Sequence, residues 1–274
     1  MFAAFYANDM KQYTRNQWMI WFGILFTLVS TSFILFGGAD ANTYDGFNTT
    51  MASLLNVNLF LLPLILFVMG AVSVAAEKEE GLFTLVVSYP VSYLQLVVAK
   101  VLSLITAMLL ILFFSYGVAA IVGFFTGTAL APDTLILFLF LSVLLVLLLA
   151  PLAILMGVCT STKFQAMALA LGIWAFFVLL YEFLFMGLIT VVPPLWLTVF
   201  LTLAVAFNPV ELIRVATIII MDGGTSLGPS LYDFTSYLSG GFGALILAVF
   251  AVLWLVLPTA ACYILIRGGK THGS

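Results

Sequence analysis

Apolar residues in this chain come in long unbroken runs, and the polar residues gather between them. Six runs stand out, at about residues 18–37, 53–76, 101–127, 134–159, 166–188 and 242–266. A helix needs about 20 apolar residues to cross a hydrocarbon core about 30 Å thick, so each run predicts one membrane crossing. Continuity of the runs argues against a β-barrel, whose strands alternate in polarity. The pattern predicts an all-α polytopic membrane protein with six transmembrane helices, forming a single transmembrane domain over residues 1–274.

Two stretches depart from that pattern. In residues 1–16, Phe2, Phe5, Tyr6, Met10 and Tyr13 recur at roughly helical spacing with Asp9 and Lys11 among them. This predicts an amphipathic helix lying in the interface, with Trp18 and Trp21 following at headgroup level. Residues 189–241 are apolar but punctuated. Pro193-Pro194 opens one helical piece and Asn208-Pro209 a second, which carries Glu211 and Arg214 and which Asp222-Gly223-Gly224 is expected to end. Each piece is short for a crossing, so a re-entrant or interfacial helical pair before the last span is expected, with Pro209 at the first position of the second helix.

Composition agrees: 65% of the residues are hydrophobic and only 7% charged, with a mean hydropathy of +1.29. The distribution of charge adds orientation. Lys11, Arg15, Lys78, Lys100, Lys163, Arg267 and Lys270 fall on one side of the six runs and Arg214 on the other. Loops rich in Lys and Arg stay inside, which places both termini in the cytoplasm of a multi-pass cell-membrane protein. The first run is longer than the apolar region of a signal peptide, so it is expected to remain as a helix despite the small residues around Asp40. Cys159 and Cys262 sit in or at the end of apolar runs and read as small hydrophobes. Pro63, Pro151 and Pro258 lie inside runs.

Catalytic chemistry finds no support. Gly269-Lys270-Thr271 mimics the end of a phosphate-binding loop, but Ile264 stands where its first glycine belongs. With His272 the single histidine, a histidine-based metal site has no ligand set. Gly224-Thr225-Ser226-Leu227-Gly228 has the letters of a nucleophile elbow, yet lacks the strand before it and a base beside it. Asn48-Thr49-Thr50 matches a glycosylation acceptor. No catalytic residue, metal site, cofactor of this chain's own or nucleic-acid surface is expected. Two small-x-x-x-small faces, Gly123 with Gly127 and Ala168 with Gly172, allow close helix approach. The first is expected to pack within the subunit and the second to form a seam with a second copy.

Scarce charge is concentrated at Glu77-Lys78-Glu79-Glu80-Gly81, followed by an apolar stretch through Tyr89-Pro90. Gly81 permits a sharp turn, and Pro90 ends a short helix whose apolar residues would fill a partner's groove with the glutamates as rim. At the opposite side Glu182, Glu211 and Arg214 are the charges in or beside the membrane. Glu211 and Arg214 are three apart and form an expected ion pair. Glu182 has no basic neighbour in sequence, and an intramembrane carboxylate points to a translocation path.

The run from Glu77 to Gly81, then Thr84-Leu85, then Ser88-Tyr89-Pro90-Val91-Ser92, then Gln95 and Ala99-Lys100, closely resembles one element of the ABC-2 type permeases. In that family an acidic stretch ends span two, a short helix closes near S-x-P, and a basic residue leads into span three. The wording S-Y-P-V-S is most similar to the nitrous-oxide-reductase maturation (copper-related) branch. Tyr93 departs from the arginine that relatives often carry. The resemblance implies that residues 77–100 form a cytoplasmic coupling loop docking on a separate ATPase subunit. The contacts would come from Glu77, Glu79, Glu80, Gly81, Thr84, Leu85, Tyr89 and Pro90, with ATP and Mg held by the partner. It further implies a permease subunit that exports substrate, pairs with a second copy of itself, and meets an extracytoplasmic accessory protein. Glu182, Asn208, Pro209, Glu211 and Arg214 are the expected gate. Two other classes compete: a secondary transporter, which calls for inverted repeats, and a non-transporting membrane assembly factor.

Overall fold

The computed structural model describes residues 2–37, 49–81, 92–128, 132–189, 191–221, 234 and 236–268. Among the described residues six helices are long and apolar enough to cross a membrane. One further pair of helices turns by 118° at a short break. In chain order the helices are α1 (Phe2–Thr14), α2 (Gln17–Gly37), α3 (Thr49–Glu79), α4 (Tyr93–Thr126), α5 (Pro132–Cys159) and α6 (Lys163–Ala175). A π-helical turn, Phe176–Leu180, carries α6 into α7 (Tyr181–Ile189). Then come α8 (Pro194–Phe207), α9 (Pro209–Ile220) and α10 (Gly241–Gly268). Spans one to six are α2, α3, α4, α5, α6–α7 and α10.

The bundle is built around α3, α4 and α5. About half or more of their most apolar windows is buried (56%, 61% and 50%), against 11% for span five and for span six. Lipid is as apolar as leucine, so helices in it associate by close packing rather than by expelling water. The tightest approach joins α3 and α5. A Cβ on Gly157 would stand 2.5 Å from the Ala71 carbonyl oxygen, and one on Gly70 would stand 2.6 Å from the Ala153 Cβ. Around this seam α2 packs on α4, α6 on α3, and α10 on α5.

Buried polar side chains tie the spans where no water is available to them. Asn58 of α3 donates to Tyr116 of α4 (2.5 Å) and to Ser142 of α5 (3.2 Å), and the Tyr116 and Ser142 hydroxyls lie 3.1 Å apart. Thr27 of α2 and Ser115 of α4 share a bond of 2.8 Å. Helix α1 lies across the ends of spans two and three. Its Tyr13 hydroxyl meets Ser73 (2.8 Å) and its Tyr6 hydroxyl donates to Thr106 (3.0 Å). Burial pushes the Tyr13 phenol above its ordinary value, so it stays a neutral hydrogen-bonding group. We call the side that holds α1 the N-terminal face.

Two expected span ends move. The third span starts at Tyr93 rather than near residue 101, because Ser92 caps it and accepts from the Gln95 N–H. The second runs on to Glu79 rather than ending near residue 76. Both extensions carry charge into helices, at Lys100 and Glu77, and the two charges meet. Pro63, Pro151 and Pro258 lie within their helices. Gly123 is buried inside the subunit, but Gly127, the other half of that expected face, is the exposed left-handed cap of α4; Ala168 and Gly172 are exposed. Residues 222–233, with the expected end of α9 at Asp222 and the glycine-rich Gly224 to Gly228, lie outside the described residues.

Candidate functional site

On the N-terminal face the acidic island is held by its own subunit. Glu77 is the last buried acid of α3, and both its oxygens accept from the Lys100 ammonium at 2.7 Å. Asp9 of α1 approaches the same nitrogen at 3.5 Å. All three side chains are buried. One cation between two carboxylates leaves a net negative charge where the dielectric is low. Burial raises the Asp9 carboxyl above its ordinary value, and the neighbouring Glu77 charge adds to this. The Lys100 charge and hydrogen bond pull the other way.

The next three residues reach toward the end of span four. The Lys78 ammonium donates to the carbonyls of Val158 and Thr160, the latter at 3.0 Å. It thereby satisfies carbonyls at the end of α5 that have no partner within the helix. Glu79 accepts from the backbone N–H of Lys163 at 2.7 Å, at the start of α6. Glu80 pairs with the Lys163 ammonium at 2.7 Å, in an exposed position where such a pair contributes little stability. Gly81 then takes a left-handed turn, φ +74°, that a side chain would strain.

Sequence had placed Glu77 with Glu79 and Glu80 in a rim facing a partner. The structure turns Glu77 inward, because an α-helix continued to Glu79 points it at α4, where Lys100 waits. Glu79 and Glu80 sit on the exposed surface, engaged by Lys163. Thr84, Leu85, Tyr89 and Pro90 lie outside the described residues, whose nearest members are Gly81 and Ser92. Residues 82–91 are thus bracketed by a clamp on each side: Glu79 and Glu80 on Lys163, and Glu77 on Lys100.

The second cluster surrounds the bent pair α8–α9. Asn208 is fully buried at its corner. The side-chain oxygen of Asn208 accepts from the N–H groups of Val210 (2.9 Å) and Glu211 (3.4 Å), and Pro209 opens the helix where no donor is needed. Its amide nitrogen donates to the Phe177 carbonyl at 2.8 Å, inside the π-helical turn of span five. A π-turn shifts the local hydrogen-bond ladder, and such turns gather at functional sites. Tyr181, just past the turn, donates to the Ala204 carbonyl at 2.5 Å, and the Trp254 indole of span six donates to the Ala206 carbonyl at 2.9 Å. These bonds satisfy the end of α8, which a buried helix end requires. At 1.5 Å per residue, Phe177 and Trp254 lie about 20 Å along their helices from the N-terminal face. The corner therefore lies well away from the N-terminal face, against the middle of spans five and six.

Arg214 of α9 joins two acids. It pairs with Glu211 at 3.0 Å on its own helix, as the spacing predicts. It also pairs with Glu182 of α7. Glu182, which lacks a basic neighbour in sequence, finds one across space. Glu211 Oε1 is buried and, among the described residues, lacks an aligned donor despite the nearby guanidinium. The Arg214–Glu182 pair is one of three links between span five and the hairpin, beside Asn208 to Phe177 and Tyr181 to Ala204, and it is the one that involves a half-exposed side chain, Glu182.

Sequence reasoning missed Lys100 and Asp9 as partners of Glu77, and Phe177, Tyr181 and Trp254 as anchors of the hairpin. Lys100 carried a signal, a lysine flush with an apolar run. The π-turn carried none, since Phe-Phe-Val-Leu-Leu fits an ordinary α-helix equally well.

The chain matches the family model described as ABC-2 family transporter protein over residues 3–267. It is 28% identical over 258 residues to a protein of Stutzerimonas stutzeri described as "Probable ABC transporter permease protein NosY", covering 91% of this chain and 90% of the relative. A protein of the same description from Pseudomonas aeruginosa is 30% identical over 181 residues, covering 64% of this chain and 66% of the relative. Matched to one family over nearly its whole length, the chain belongs to the ABC-2 transporters, as a permease subunit.

Proposed function

We propose that this permease works with a separate ATPase subunit that docks on the loop between spans two and three, and that nucleotide-driven movement there exports substrate through a homodimer. Both termini lie in the cytoplasm in this reading, since the basic residues gather on the N-terminal face. The observation that carries it is the pair of clamps around residues 82–91. A loop that transmits force needs stiff attachments. This one is tied through Glu79 and Glu80 to the start of span five, through Lys78 to the end of span four, and through Glu77 and Lys100 to span three and α1. A push on the loop therefore reaches four spans and the interfacial helix together. The apolar docking surface would come from Leu85, Tyr89 and their neighbours, with Thr84 and Pro90 shaping it.

On the far side, Glu182, Glu211 and Arg214 gate the exit, with Asn208 and Pro209 as the pivot. The exposed Ala168–Gly172 face of span five supports the seam with a second copy: among the described residues, and apart from its own helix, nothing lies within 4 Å of a Cβ built on Gly172. An accessory protein on the outer side completes the expected partners, and ATP and Mg belong to the ATPase.

The test is reconstitution with the ATPase subunit. Replacing Glu79 by Ala and Gly81 by Val together should leave the permease in the membrane but uncouple ATP hydrolysis from transport. Normal coupled transport by that variant would defeat the docking assignment. Substrate accumulating on the ATPase side of inverted vesicles, rather than inside them, would defeat the export direction.

A further inference from the structure

Between the end of α1, span one and span three lies a groove of about 310 Å³. Tyr13, Met19 and Ala107 form its buried floor, and Ile24, Leu110 and Phe114 are exposed along its rim. The lining is almost wholly apolar, and the rim faces where lipid would be. Gly23 keeps it open: a Cβ there would rest 3.6 Å from Ile111, so a methyl fits and a longer side chain would fill the space.

The end of the groove nearest α1 is polar, and two cations neighbour it in sequence. Thr14 lines it, and the Thr14 hydroxyl donates to the Met10 carbonyl at 3.0 Å. Lys11 is three residues before Thr14 on α1, a spacing that brings helix residues side by side, and Arg15 follows directly. Both are exposed. Lys100, Lys163 and Arg214 each hold a carboxylate. Among the described residues Lys11 and Arg15 hold none, so their charge is available to an outside partner. Trp18 and Trp21, 71% and 67% exposed on the first turns of α2, mark this level as the headgroup zone.

We propose that the groove binds one anionic phospholipid from the leaflet on the N-terminal face, with an acyl chain along Gly23 and Phe114 and the phosphate at Lys11 and Arg15. Apolar lining alone suits any acyl chain. Two cations with no carboxylate of their own at one end select the anionic headgroup. The lipid would wedge α1 against spans one and three and so set how firmly the interfacial helix is held.

The test is native mass spectrometry of the protein taken from nanodiscs of phosphatidylcholine containing phosphatidylglycerol. The wild type should retain phosphatidylglycerol in preference to phosphatidylcholine. Each cation near the surface contributes about five-fold to such binding, so the K11Q/R15Q variant should lose most of that preference. Gly23→Leu should lower retention of both lipids. Equal retention of the two lipids by the wild type overturns the proposal, as does unchanged preference in K11Q/R15Q or unchanged retention in Gly23→Leu. Both substituted cations are exposed, so K11Q/R15Q decides the matter if Gly23→Leu fails to fold. A cysteine placed at Leu110 that cross-links two copies would show the groove to be a subunit seam instead, and the proposal would fall.

Discussion

Two clusters in this protein share one composition, a single cation between two carboxylates, and differ in everything around it. Asp9, Lys100 and Glu77 lie on the N-terminal face, on uninterrupted helices, with all three side chains buried. Glu182, Arg214 and Glu211 lie near the opposite side, on a span interrupted by a π-turn and on the second arm of a bent hairpin, with Glu182 half-exposed. The first cluster locks packed elements, because parting its charges would leave them unpaired in a medium that cannot solvate them. The second is less enclosed, since Glu182 is half-exposed, and in the proposed function it is the pair that parts. Equal charge counts thus give a fastener in one place and a latch in the other, and burial decides which.

The sharpest way to break that contrast is to remove each cation. Lys100→Met leaves two buried carboxylates facing each other and should cost about 3–5 kcal/mol. Arg214→Met should cost less, about 1–3 kcal/mol, while reducing transport strongly with assembly retained. Thermal unfolding in detergent, followed by size-exclusion fluorescence and paired with a transport assay, compares them. Similar stability losses for the two variants would erase the distinction between fastener and latch.

Next in size is the pivot. Asn208→Ala removes the cap of α9, about 1–2 kcal/mol, and leaves the Phe177 carbonyl without its side-chain donor. Hydrogen exchange should rise in the first turn of α9 and around Phe176–Leu180 and stay unchanged across Leu96 to Met108. Unaltered protection at the π-turn would show that the hairpin is anchored elsewhere, by Tyr181 or Trp254.

The smallest effect concerns Asp9 and has the opposite sign. Because its folded pKa is raised, its favourable contribution is complete below the ordinary carboxylate value of 3.8 and is lost as pH rises through the folded value. Ionising Asp9 is therefore a cost. Asp9→Asn should be neutral or stabilising by up to about 1 kcal/mol at pH 7, and should flatten the acid side of the stability profile. A clear loss of stability at pH 7 would mean that Lys100 needs both carboxylates.

The sequence alone determined the class of fold and the family of the chain. Membrane crossing depends on the length and continuity of apolar runs, which are local properties, and the six runs at 18–37 through 242–266 coincide with six helices. The turn at Asn208-Pro209 was legible for a similar reason: capping and proline geometry act within four residues. The amphipathic α1, Gly81 at its left-handed turn, and the ion pair of Glu211 with Arg214 were local too. Tertiary structure decided which charges meet. Glu77 with Lys100 spans 23 positions and Lys100 with Asp9 spans 91, and Glu182 with Arg214 likewise joins separate helices. No local pattern encodes such partners, because a buried charge is stabilised by whatever opposite charge the packed helices bring alongside it. The tight seam at Gly70 and Gly157, the π-turn and the open groove beside Gly23 are of the same kind. Each depends on how closely two helices approach, a distance set by the whole bundle rather than by any one segment.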